Sequence, residues 1–102
     1  MYFYITSLVN HRHKIGITQN LVKRILNYAT LVPDIYYKVA CEPNSPTSIK
    51  AKFKHRFSNY RNDISGGLHR SRLLKGEAYS VKFKWLFLFL IHALHADHEP
   101  ST

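Results

Sequence analysis

Tyr2-Phe3-Tyr4-Ile5-Thr6-Ser7-Leu8-Val9 is followed by Asn10-His11-Arg12-His13 and then by Lys14-Ile15-Gly16-Ile17-Thr18. The first run is aromatic and β-branched and reads as a strand. The third is a second short strand, and the polar stretch between them is a turn, so the two form a hairpin. Gly16 inside a strand pattern marks a close backbone approach or a bulge. From Gln19 the period changes. Leu21, Val22, Ile25, Leu26 and Ala29 fall at helical spacing, with Thr18 or Asn20 available as N-cap and Pro33 ending the helical region.

Beyond the hairpin and its helix, Asp34 to Cys41 is again strand-like. Pro43-Asn44-Ser45-Pro46-Thr47 is a turn able to start a second helix, predicted from Ser48 to Asn59, whose apolar positions Ile49, Phe53 and Phe57 are four apart. Arg61 to Lys75 reads as a basic loop holding Gly66-Gly67, Gly76 to Val81 as a strand, and Lys84 to Ala96 as a closing helix. The predicted order is β-β-α-β-α-β-α. This is an α/β fold: a small, mainly antiparallel sheet of three or four strands flanked by helices. There is no internal repeat; residues 1–97 are expected to form a single domain and 98–102 a flexible tail.

A chain of 102 residues with 45% hydrophobic and 14% aromatic residues has room for one core and enough apolar surface to fold it. A multidomain enzyme, a disulfide-stapled toxin and a collagen-like chain are excluded. Cys41 is the one cysteine, so neither an internal disulfide nor a cysteine-based zinc site is available, which fits a reducing compartment. The N-terminus lacks the basic-then-apolar order of a signal peptide. The longest apolar stretch, Trp85 to Leu94, includes His92 and falls well short of the roughly 20 residues that a membrane span needs. A soluble, cytoplasmic protein without a membrane partner is expected. Lys and Arg number 15 against 6 Asp and Glu, a formal net charge of +9, and basic residues are interleaved with aromatic ones throughout. That pattern points to a polyanion, nucleic acid above all. The closing helix is apolar nearly all round, which suits burial against the sheet or, in a homodimer, a face against a second copy.

Three features stand in order: a Tyr-x-Tyr strand, a Lys-Ile-Gly strand after a short turn, and a helix carrying Lys23-Arg24. Here the sequence resembles the GIY-YIG endonuclease family, in particular its compact phage-type branch, whose second motif reads Lys-Ile-Gly. Phe3-Tyr4-Ile5 occupies the first motif, Lys14-Ile15-Gly16 the second, and Asn20 to Ile25 the helix opening. His55-Arg56-Phe57 and Gly76-Glu77-Ala78-Tyr79 resemble two later landmarks, so the likeness spans residues 2 to 82. It implies a DNA endonuclease that hydrolyses phosphodiester bonds with one divalent metal, Mg²⁺ or Mn²⁺. As a monomer it would nick double-stranded DNA. A phage or other mobile element acting in a bacterial cytoplasm is the implied origin.

The residue types suit that chemistry. Phosphodiester hydrolysis must deprotonate a water, hold charge on the phosphate oxygens and assist the leaving alkoxide. A tyrosine is a poor base at its ordinary pKa of about 10, and nearby cations favour its phenolate. Tyr4 is the expected general base, with Tyr2 on the same face as the competing assignment. Lys14 on the adjacent strand and Arg24 on the helix are the expected cations, and the Arg24 fork matches phosphate oxygens. Tyr28, four residues from Arg24, shares its helical face and is placed by the resemblance beside the reacting phosphate.

One position departs. The family holds its metal through a glutamate four residues before the landmark histidine, and here that position is Ala51, between Lys50 and Lys52. Alanine has no oxygen to give a hard cation. Three accounts follow: a natural relative that has lost the metal and acts as a DNA-binding module or repressor, a role taken over by Glu77 or another carboxylate, or a Glu→Ala change that silences a toxic nuclease. DNA contacts are expected from His11, His13, Lys23, Lys50, Lys54, His55, Arg61, Arg70 and Arg72; the basic loop from Arg61 to Lys75, with Lys50, Lys52, Lys54 and Arg56, would track the phosphate backbone without reading sequence.

Overall fold

The computed structural model describes residues 1–8, 12–30, 32–61 and 78–98. In chain order they form β1 (Tyr2–Ser7), β2 (His13–Thr18), α1 (Leu21–Ala29), β3 (Tyr37–Cys41), α2 (Pro46–Arg56), a 3-10 turn (Ser58–Tyr60), β4 (Ala78–Tyr79) and α3 (Phe83–His98). This is a small α/β fold with a four-stranded antiparallel sheet and three helices, in the order expected from the sequence. None of the described helices is long and apolar enough to cross a membrane.

Local chemistry explains the boundaries. Asn20 caps α1, its side chain accepting the Lys23 N–H at 3.0 Å. The Thr18 hydroxyl accepts the Asn20 N–H at 3.2 Å, so both residues expected at this helix start take part. α2 begins at Pro46, two residues earlier than periodicity indicates, because proline has no N–H to lose in a first turn and its φ already suits a helix. β3 begins at Tyr37 and not Asp34. Ile35 N–H donates to the Val32 carbonyl, which keeps this stretch turned after α1.

The sheet runs β3-β1-β2-β4, with the hairpin strands at its centre. Tyr4 faces Gly16 across the β1–β2 ladder, Ile5 faces Ile15 and Thr6 faces Lys14. Alternation along β1 therefore sends Phe3 and Ile5 to one side, Tyr4 and Thr6 to the other. On the first side, Phe3, Ile5 and Ile15 pack with Ile49 and Phe53 of α2 and Leu86 and Leu90 of α3. The Phe53 ring is the hub, with centroids 5.1 Å from Phe3, 5.8 Å from Phe57 and 4.9 Å from Phe89. On the second side Tyr4 packs with Tyr28, Ile35, Leu21, Ile25 and Tyr37 under α1.

α3 buries Leu86, Leu90 and Ala93 but exposes Trp85, Phe87, Leu88 and Ile91. Its far end is tied to the loop before α2, where Asp97 accepts the Asn44 backbone N–H at 2.7 Å. The helix expected to lie buried against the sheet is thus buried along one stripe only.

Candidate functional site

The second side of the sheet gathers the residues expected to carry chemistry. Tyr4 and Tyr28 are both buried, and their hydroxyls hydrogen-bond at 2.7 Å. The Lys14 ammonium lies 5.8 Å from the centre of the Tyr28 ring and the Arg24 guanidinium 6.0 Å from it. Those separations are at the outer reach of a cation–ring attraction. Lys14 is 94% buried, a rare state for lysine, and Arg24 is half-buried above the pair. Between Tyr2 and Tyr4 the register is decisive: Tyr4 is the one that meets Tyr28.

Gly16 makes the cluster sterically possible. A Cβ there would fall 2.5 Å from Tyr4 Cζ, and closer still to the hydroxyl. The Tyr4 ring therefore lies across the β2 backbone where a side chain would otherwise stand. Of the two readings of this glycine, close approach is the one observed.

Tyr37 completes the cluster and was not expected from the sequence. Its ring meets Tyr4 edge-on at 5.3 Å, and its hydroxyl donates to the Leu21 carbonyl at 2.6 Å, joining β3 to the start of α1. Strict alternation would put Tyr37 on the same side as Val39 and Cys41. The β1–β3 register shifts between Ile5 and Thr6, so that Ile5 faces Val39 while Thr6 faces Tyr37. The extra residue, Lys38, is taken up by a bulge that moves Tyr37 to the Tyr4 side. A pair of adjacent tyrosines is the only sequence signal, and it does not say which one turns inward.

Electrostatics reverses one expectation. Burial drives the Tyr4 pKa well above the ordinary phenol value, and the Tyr28 hydroxyl adds to the rise; Arg24 lowers it, but by less. Lys14 and Arg24 therefore do not deliver a phenolate at position 4. In the resting chain Tyr4 is a protonated phenol that shares a hydrogen bond with Tyr28, not a ready base. Tyr37 is shifted upward for the same leading cause, burial.

A second correction concerns His13. It lies in β2, not in the turn, and is buried. Its Nδ1 is 2.9 Å from the Val81 carbonyl and its Nε2 3.0 Å from the Lys38 ammonium. A carbonyl only accepts and an ammonium only donates, so Nδ1 carries the proton and Nε2 accepts. Both ring nitrogens are committed to the protein, and His13 serves as a strut between β2, β3 and the segment that leads from β4 into α3, not as a phosphate contact.

The other expected residues are dispersed. Lys23 is exposed on α1, Lys54 and His55 are exposed on α2, Lys50 is half-buried there, and Arg61 is exposed where it bridges to Tyr79. Lys54, His55 and Arg56 also form the last turn of α2, where positive charge complements the helix dipole. His11, Arg70, Arg72 and Glu77 lie outside the described residues. Ala51 is exposed on α2, the helix that packs on the side of the sheet opposite α1. Its methyl group offers no donor atom, so the residues present there do not fit a divalent metal. Comparison of the chain with protein-family models, with curated proteins and with solved structures returns no match.

Proposed function

We propose that this chain has the scaffold of a GIY-YIG-type DNA endonuclease and, with alanine at position 51, binds the DNA phosphodiester without cutting it efficiently. The observation that carries the reading is convergence. Tyr4, Lys14, Arg24 and Tyr28 come from two strands and a helix, are separated by up to 24 positions, and meet around the Tyr28 side chain. Arg24 is the group suited to bind phosphate oxygens, since its half-buried fork presents several donors in a setting less screened than bulk water. Tyr28 is buried with its hydroxyl held by Tyr4, so its part is to set the floor beneath Arg24 and not to meet the phosphate itself. The family likeness would place a metal-holding carboxylate at position 51, on the helix packed opposite α1, and alanine there supplies none.

The decisive test restores the carboxylate. Ala51→Glu incubated with supercoiled plasmid and Mg²⁺ or Mn²⁺ should produce nicked circles, and Arg24→Ala in that background should abolish them. One specific observation favours a second reading, a non-catalytic DNA-binding module: the only tyrosine at the expected base position is held protonated. Salt-sensitive duplex binding with no nicking by Ala51→Glu at any pH would establish that reading instead.

A further inference from the structure

Away from the tyrosine cluster, a cavity of about 750 Å³ opens between the C-terminal end of α2, the 3-10 turn and the first turns of α3. Its walls carry two exposed rings, Tyr60 at 51% and Trp85 at 54% exposure, above a floor that includes buried Phe57 and half-buried Phe89. Three cations, Arg56, Lys82 and Lys84, line the same cavity, and among the described residues no acidic one lines it. The Lys84 ammonium sits 5.1 Å from the Trp85 ring centre and the Arg56 guanidinium 5.3 Å from that of Phe57. The walls are set by the backbone, since Ser80 N–H donates to the Tyr60 carbonyl at 2.9 Å and ties the 3-10 turn to the segment entering α3.

We infer that this groove binds an unpaired stretch of a polynucleotide, with bases stacked on Tyr60 and Trp85 and phosphates met by Arg56, Lys82 and Lys84. Exposed rings offer flat apolar faces, and the cations beside Trp85 and Phe57 would repel a basic partner. Both features match a strand whose flat bases alternate with anionic phosphates. A duplex fits less well, because its bases are already stacked on one another and present no faces to a side chain. The inference shares with the proposed nuclease a nucleic-acid partner and nothing else: it uses neither Arg24 nor position 51.

Trp85 is the one tryptophan in the chain, so its emission reports on this groove directly. Titration of the full chain with oligo(dT) of about 12 nucleotides should quench that emission saturably, by about half, while a duplex of equal length changes it little. Tyr60→Ala and Lys84→Glu, both at exposed positions, should each weaken the titration by about tenfold or more. Three results would overturn the inference. The first is labelled oligo(dT) binding by anisotropy without any change at Trp85. The second is equal quenching by duplex and single strand. The third is a blue-shifted Trp85 emission indifferent to oligo(dT), which would show the groove already filled by other parts of the chain or by a second copy. Plasmid nicking by Ala51→Glu is a separate readout. Nicking without quenching removes the groove alone, and quenching without nicking removes the nuclease alone.

Discussion

The two sides of this sheet are built from the same two strands and are unlike in almost every other respect. Phe3, Ile5 and Ile15 look onto α2 and α3 and pack among aromatic rings and aliphatic chains, Tyr79 included. Tyr4, Thr6 and Lys14 look onto α1, and every one of them is buried while carrying a polar or charged group. Burying polar groups costs free energy unless they are paired. The α1 side holds them in place through a hydroxyl pair and ring–cation contacts. The first side supplies the stability that makes such an arrangement sustainable, and the second carries the groups of the proposed site.

The comparison is broken most severely at Phe53. Its truncation in Phe53→Ala empties the hub between Phe3, Phe57 and Phe89 and should cost about 3–5 kcal/mol. Against a total of about 5–15 kcal/mol for a domain, urea unfolding should show the midpoint fall sharply or the native baseline vanish. Next comes Gly16→Ala, which drives a methyl group into the Tyr4 ring and should cost about 2–3 kcal/mol in the same assay. Replacement of alanine by a larger side chain should be worse, and an unchanged midpoint in Gly16→Ala would mean that the ring moves aside freely.

Tyr28→Phe tests the polar side more gently. It leaves the buried Tyr4 hydroxyl without its partner at a cost of about 1–2 kcal/mol. The same site predicts an alkaline limit to stability. Tyr4 has a higher pKa folded than unfolded, so its contribution is fully present below the ordinary phenol value of about 10. Above that value the unfolded chain gives up the proton more readily than the folded one, and stability falls as pH rises. Urea midpoints at increasing alkaline pH should therefore drop for the parent chain and drop less for Tyr4→Phe. The smallest change is expected from Arg24→Ala. Loss of a half-buried guanidinium at 6.0 Å from a ring should shift stability by less than about 1 kcal/mol. Its effect on DNA binding should be far larger, which would separate the two sides cleanly as scaffold and site.

The order of elements and the hairpin at the centre were legible in the sequence, because alternation, helical spacing and turn residues are local signals. So was the candidate site at Tyr4, Lys14, Arg24 and Tyr28, since motif order brings those residue types into one neighbourhood. The expectation of a metal-holding glutamate at position 51 rests on the family likeness alone. Non-local features were not legible. The bulge that turns Tyr37 inward depends on how β3 meets β1, and the burial of His13 depends on Val81, 68 positions away. The protonated state of Tyr4 reflects desolvation under α1, and it overturns a charge argument that counted cations without counting burial. The aromatic groove beside Trp85 comes from the packing of α3 against the end of α2. Local pattern, in this chain, specifies which elements form and which residue types lie near one another. Register, depth and the loss of water, all products of packing between distant segments, set which of those residues face each other and in what protonation state.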